Sequence, residues 1–121
     1  MKTNQLLFRL IEFSNAIYNI SLVLNNRREL FHLIDQILRS SSSSVLNYSE
    51  ALVTKTDKDY ANKVRLALKE MNESCSIIML LKGRTSEHYL QELTKLEEEA
   101  SSLLAILGAC CRKVENRISN Q

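Results

Sequence analysis

The side chains able to do acid–base, nucleophilic or metal chemistry are few and do not converge in this sequence. His32 and His88 stand alone, each at the beginning of a different helical segment, and neither belongs to a helical metal motif. Cys110 and Cys111 are adjacent, so one helix face cannot present both to the same ion, and no Cys-x-x-Cys pair accompanies them. Glu70 and Glu73 share a helix side and resemble half of a carboxylate metal cluster, but the Glu-x-x-His partner such a cluster needs is missing. Lys69 lies four residues before Glu73, which favours a surface ion pair there. The run Ser40–Ser44 has no nucleophile-elbow glycines and no histidine–acid arrangement. Phosphate or dinucleotide loops are excluded in a chain with two glycines. The expectation is a noncatalytic protein with no metal site and no cofactor.

Positive charge offers the other candidate chemistry. Residues 1–69 hold ten Lys or Arg against six Asp or Glu, although the whole chain carries only +2. Arg27, Arg28, Arg39, Lys55, Lys58, Lys63 and Arg65 are the candidates for contacting nucleic-acid phosphates, along two helices and the turn between them. Asp57, Asp59, Glu70 and Glu73 dilute that charge unless the fold separates the signs. The last helical segment runs from acidic Glu87, Glu92 and Glu97–Glu99 to basic Arg112, Lys113 and Arg117, the order that complements a helix dipole.

These groups must be positioned by helices. With 121 residues, 45% hydrophobic and no proline, the chain suits one domain, spanning residues 1–121, built from long uninterrupted elements. Leu6, Leu10, Phe13, Ile17, Ile20 and Leu24 predict a helix over 4–24. Asn26, with Glu29 three residues on, is expected to cap a second helix over 27–53. Its stripe of 30, 34, 37, 41, 44, 48 and 52 passes through the serine run without losing register, which predicts an unbroken helix that a neighbour can approach closely. Thr56 is the expected cap of a third helix over 57–82, with Tyr60, Val64, Ala67, Met71, Ser74, Ile78 and Leu81 on its inner face and Gly83 ending it. Ser86 is the expected cap of a fourth over 87–118, with Leu93, Leu96, Ala100, Leu103, Leu107, Cys110, Val114 and Ile118 inside, reinforced by Leu90. Gly108 falls within that helix, where it can admit a close neighbour. Short turns between four amphipathic helices give an all-α, up-down-up-down antiparallel four-helix bundle.

The apolar stripes are broad enough to serve subunit association as well as a core. Three cysteines in apolar helical settings suit a reduced, cytoplasmic protein. Arg9 and Glu12 interrupt any signal-like core near the start, and no uninterrupted apolar run reaches membrane-spanning length.

At Gln36-Ile-Leu-Arg39, Ser43, Asn47-Tyr-Ser-Glu50 and Asp59-Tyr60…Lys63…Ala67-Leu-Lys-Glu70…Glu73, the sequence resembles the bacterial four-helix-bundle family of 23S ribosomal RNA intervening-sequence proteins. That family is related to the accessory proteins of diversity-generating retroelements. The resemblance covers nearly the whole chain; Ala51 stands where many relatives have glycine. It implies an antiparallel four-helix bundle, a homo-oligomer that in some relatives is a cyclic pentamer, and partners that include RNA or DNA and a reverse transcriptase. Among the family-pattern polar residues, Arg39 and Lys63 suit phosphate contact. Ser43, Asn47, Glu50, Lys69, Glu70 and Glu73 suit bundle or subunit organisation. The expected function is a helical assembly or adaptor module engaging RNA or a nucleoprotein complex. The alternatives are a purely protein-binding oligomeric scaffold and, more distantly, an enzyme with an unrecognised active site.

Overall fold

The structure, a computed structural model, describes residues 3–121; Met1 and Lys2 lie outside it. Four helices follow one another: α1 (Thr3–Leu24), α2 (Phe31–Ala51), α3 (Asp57–Lys82) and α4 (Leu90–Ser119). Single 3-10 turns, Arg28–Leu30 and Glu87–Tyr89, lead into α2 and α4. This is an all-α four-helix bundle. Each helix packs mainly on the next in sequence, and α1 meets α4 along a sparser seam.

The apolar periodicity explains which faces turn inward. Leu6, Leu10, Phe13, Ile17, Ile20 and Leu24 of α1 are all buried, as are Val64, Ala67, Met71, Ser74, Ile78 and Leu81 of α3. α1 is long and apolar enough by composition to cross a membrane. Its periodic apolar residues instead lie in the core shared by the four helices. On α4 the expected stripe holds through Leu107 and then moves by one residue. Cys111 is buried, with Cys110 only partly so, because four residues rather than three continue the inward row toward Val114. Leu90, expected to reinforce that row, is exposed.

The serine run is helical throughout. Ser40, Ser41 and Ser44 are 0–1% exposed, a burial hydroxyls tolerate only when hydrogen-bonded. Ser44 Oγ donates to the Ser41 carbonyl at 2.7 Å and Ser42 Oγ to that of Leu38 at 2.8 Å. Ser40 and Ser74 join hydroxyl to hydroxyl across α2 and α3 at 2.7 Å. Among the described residues, no buried side-chain polar atom lacks a partner. Small side chains that satisfy their own hydroxyls leave the two helices free to approach closely.

The helix ends show where local pattern and tertiary geometry part. Thr56 caps α3 as expected, its hydroxyl accepting from Asp59 N at 3.1 Å. Asn26 does not cap α2. The 3-10 entry puts Arg27 at the preceding position, and its guanidinium takes the Glu29 carboxylate at 3.0 Å. Ser86 precedes the second 3-10 turn in extended conformation, but its carbonyl, not its hydroxyl, accepts from Tyr89 N. α2 stops at Ala51 rather than residue 53, where Thr54 N and its hydroxyl both bond the Ala51 carbonyl. Gly83 ends α3 with a right-handed φ of −83°, through a tightened last turn. Gly108 lies inside α4, and what stands over it is its own helix's Arg112, not a neighbouring backbone.

Toward the α2–α3 turn, Tyr48 and Tyr60 sit together beside Cys110. Burial is the main cause that holds off ionisation of both phenols, and Tyr60 is pushed up to about 12.

Two outcomes test this packing. Ser40→Leu should lower stability in urea denaturation by roughly 2–3 kcal/mol, an overpacking cost, while exposed Ser42→Leu changes it by less than about 0.5 kcal/mol; equal effects would contradict the close α2–α3 contact. Both phenols have folded-state pKa values above the unfolded value near ~10. The stability they contribute is therefore complete below about pH 10 and is lost as pH rises through about 12. Melting temperature should fall over that interval, and less steeply in Tyr60→Phe.

Candidate nucleic-acid interface

The inward row of α3 dictates what its outer face presents. Lys58, Asn62, Arg65, Lys69 and Asn72 recur at three- and four-residue spacings and are all exposed, so they form one polar row along the helix. The antiparallel pairing of α3 with α4 adds a second row. Arg65 meets Glu115, and farther along Cys75 approaches the Ser101 hydroxyl while Lys82 pairs with Glu97. That register brings Arg112 level with Lys69.

Arg65 is held from two sides. One guanidinium nitrogen donates to Asn62 Oδ1 at 2.9 Å and the other to Glu115 Oε2 at 3.3 Å. Roughly half of each partner of this ion pair remains exposed, at 47% and 48%, so solvent can be replaced there by another anion. Beneath them lies Cys111. Burial pushes its thiol up first and Glu115 adds to that, while Arg65 and Arg112 pull it down. Arg112 follows Cys111 in sequence, and Arg65 lies close enough to act on the same sulfur. Lys58, Arg65, Lys69 and Arg112 give this face four cations; Glu115 pairs with Arg65, and Asp57, beside Lys58, pairs with Arg117 of α4. Glu73 bounds the face at its far end.

The predicted cations do not gather as one set. Lys58 and Arg65 lie on the α3–α4 face. Lys63 points to the α2 side of α3, where Glu50 pairs with it at 3.4 Å. Arg27 is matched by Glu29, and with Arg28 it belongs to the α1–α2 turn at the opposite end of the bundle, about 30 Å away for a helix the length of α2. Arg39 lies on α2 and leans back on the Asp35 carbonyl at 3.4 Å. Lys55 sits in the α2–α3 turn, in a hollow it shares with Thr54, Tyr60 and the Asp57–Arg117 ion pair.

The residues expected to organise the bundle also divide. Asn47 donates to the Ser43 carbonyl at 2.9 Å and to its hydroxyl at 3.3 Å, a link within α2. Glu50 reaches across to α3 rather than to Asn47. The expected Lys69–Glu73 pair does not form: both side chains are exposed, and such a pair offsets little of the entropy lost in ordering it. Glu70 is half-buried on the α2 side of α3. Lys69 therefore joins the basic face. Arg112, which the sequence pattern explains as compensation of the α4 dipole, joins it too. Its periodic position marks it as outward-facing, but only the register between α3 and α4 brings it to Lys69.

No curated protein matches this chain. A protein of unknown function from the S23 ribosomal protein family of Bacteroides thetaiotaomicron, known from a crystal structure at 1.70 Å resolution, shares the fold. Its TM-score is 0.81 at 27% sequence identity, over 93% of this chain and 99% of that one. Residues 2–109 match the family model described as 23S rRNA-intervening sequence protein. The four-helix architecture and a match over most of its length agree: the chain belongs to the 23S rRNA-intervening sequence protein family.

Proposed function

We propose that this chain is a noncatalytic helical module that binds RNA, free or within a nucleoprotein complex, through the α3–α4 face. The observation that supports this most directly is the exposure of Lys58, Arg65, Lys69 and Arg112 on two packed helices, with Arg65 the one of the four held in an ion pair among the described residues. Phosphates approaching such a face release condensed counterions, which drives binding without any change in protein conformation. Asn62 and Glu115 hold the Arg65 guanidinium in place before a ligand arrives, so less rotamer freedom is lost on contact. The family description, which names an rRNA intervening sequence, agrees with this chemistry. A reverse transcriptase bound to nucleic acid is one nucleoprotein partner of this kind. The three unpaired cysteines suit a reducing cytoplasm.

The exposed apolar face of α1 and α2 favours a second activity, self-association. Phe8, Tyr18 and Leu22 follow one helical row on α1 at 55–61% exposure. Leu46, 63% exposed, faces the same groove beside Ile11 and Val45. A second copy of the chain is the occupant we assign to this face. From Ser14 to Asn26 the chain has no ionisable group but the Tyr18 phenol, so apolar contact there meets no charge repulsion. A closed homo-oligomer, a pentamer by the family resemblance, repeats the basic face and raises the avidity of a weak phosphate site.

Lys58→Glu/Lys69→Glu should weaken binding of a labelled structured RNA more than tenfold in fluorescence anisotropy and flatten its salt dependence by about two units of log–log slope. Arg27→Glu/Arg28→Glu, at the other end of the bundle, should have little effect. Equal loss in both folded variants would refute the assignment. In sedimentation velocity, Leu22→Glu/Leu46→Glu should reduce the wild-type assembly to monomer. A wild-type protein that is already monomeric at tens of micromolar removes the self-association reading, on the order of concentration at which such contacts form.

A further inference from the structure

The same face has a composition that selects among nucleic acids. Proteins that hold single strands combine a basic track with aromatic side chains on which unpaired bases stack. The chain has seven aromatic residues of the Phe, Trp and Tyr types, and each has a place elsewhere. Phe13 and Tyr48 are buried in the core; Tyr60 and Tyr89 are partly buried against it. Phe8 and Tyr18 lie on the outer side of α1, and Phe31 opens α2. The outward row of α3 offers Lys, Arg and Asn, and the facing part of α4 adds Arg112, Glu115 and Ser101, with no ring on either.

The face is also straight. Along α3, Lys58, Arg65 and Lys69 span about 16 Å at the α-helical rise, and Arg112 stands about 8–10 Å across, the distance between packed helix axes. Both helices have inner faces locked by Val64, Ala67, Met71, Leu103 and Leu107, so neither can curl around a splayed base. What a rigid, straight row of cations with one more cation beside it can meet is a surface that already carries phosphates at regular spacing on a fixed frame. A double helix provides that, with one charge per about 1.7 Å of axis against about 3.4 Å for one strand. Paired RNA in particular is recognised by shape and by phosphate and 2′-hydroxyl contacts.

We infer that the ligand of the α3–α4 face is double-helical nucleic acid held by its phosphates, with little dependence on base sequence. This inference rests on the RNA-binding reading above and adds to it the class of ligand.

The test uses the full chain and four labelled probes in fluorescence anisotropy at fixed salt: a 20-base-pair RNA duplex, the same duplex as DNA, and one unstructured strand of each, with a shuffled-sequence duplex as control. Duplex should bind at least tenfold more tightly than single strand, and shuffling should change affinity less than about threefold, as expected when contacts are to phosphate alone. Preference for RNA duplex over DNA duplex supports recognition of A-form geometry, and equal binding supports recognition of charge alone. Both outcomes uphold the inference. Single strand bound as tightly as duplex, or loss of binding on shuffling, overturns it while leaving the RNA-binding reading intact. Absence of binding to all probes, or binding that Lys69→Ala/Arg112→Ala does not weaken, overturns the reading itself.

Discussion

Close approach of α2 and α3 is the constraint from which the rest of the bundle takes its geometry. Where Ser40 meets Ser74 the two backbones are separated by little more than a pair of hydroxyls. Leucine in either position would push the helices apart. With the hydroxyls bonded to each other or to carbonyls of their own turn, α3 is held on α2 along a fixed line. The Glu50–Lys63 pair continues the same register on the surface. Once α3 is fixed in rotation, its far side must carry Lys58, Arg65 and Lys69 away from α2 and toward α4. The basic face is thus a geometric product of a serine-rich contact on the other side of the same helix.

Electrostatics then sorts the cations that the chain supplies. Carboxylates on neighbouring helices match Lys63, Lys82 and Arg9, and a neighbour in sequence matches Arg27. None of these pairs is deeply buried, so each contributes little to stability. Their effect on potential is larger, because a matched cation adds little field at a distance while Lys58, Lys69 and Arg112 add theirs in full. Among the described residues Arg28 and Arg39 also lack a carboxylate partner, at the α1–α2 turn and on α2, so the α3–α4 face is one of several places where unmatched positive charge reaches the surface.

Helix existence was legible because it depends on apolar spacing, which is local. The bounds of α3 agree with the periodicity at both ends, and the serine run was readable as helix because 37, 41, 44 and 48 stay on one face. Caps were less legible: Asn26 and Ser86 are suitable residue types, yet 3-10 entries moved the geometry past them. The basic face was half legible. Lys58 and Arg65 stood out as cations in a basic stretch, but the partner of Lys63 is thirteen residues away on another helix, and Arg112 stands level with Lys69 only through the α3–α4 register. Interhelical register has no signature in a single helix's pattern, since every heptad of α4 offers α3 a similar apolar row.

The uneven seams carry a consequence for time as well as space. α2, α3 and α4 are packed in sequence by extensive contacts, each joining neighbours along the chain, whereas α1 leans mainly on α2. Arg9 ties it to α4 by clamping Glu99 and Ser102, 90 and 93 residues away along the chain. Contacts between sequence neighbours close small loops and form early; a contact between the two ends of the chain forms only after the loop between them is ordered. The bundle should accordingly assemble as a three-helix unit onto which α1 docks last, and open in the reverse order. An α1 that leaves while the other three remain would shed its outer apolar row and part of the α2 groove together, yet leave the α3–α4 pairing whole.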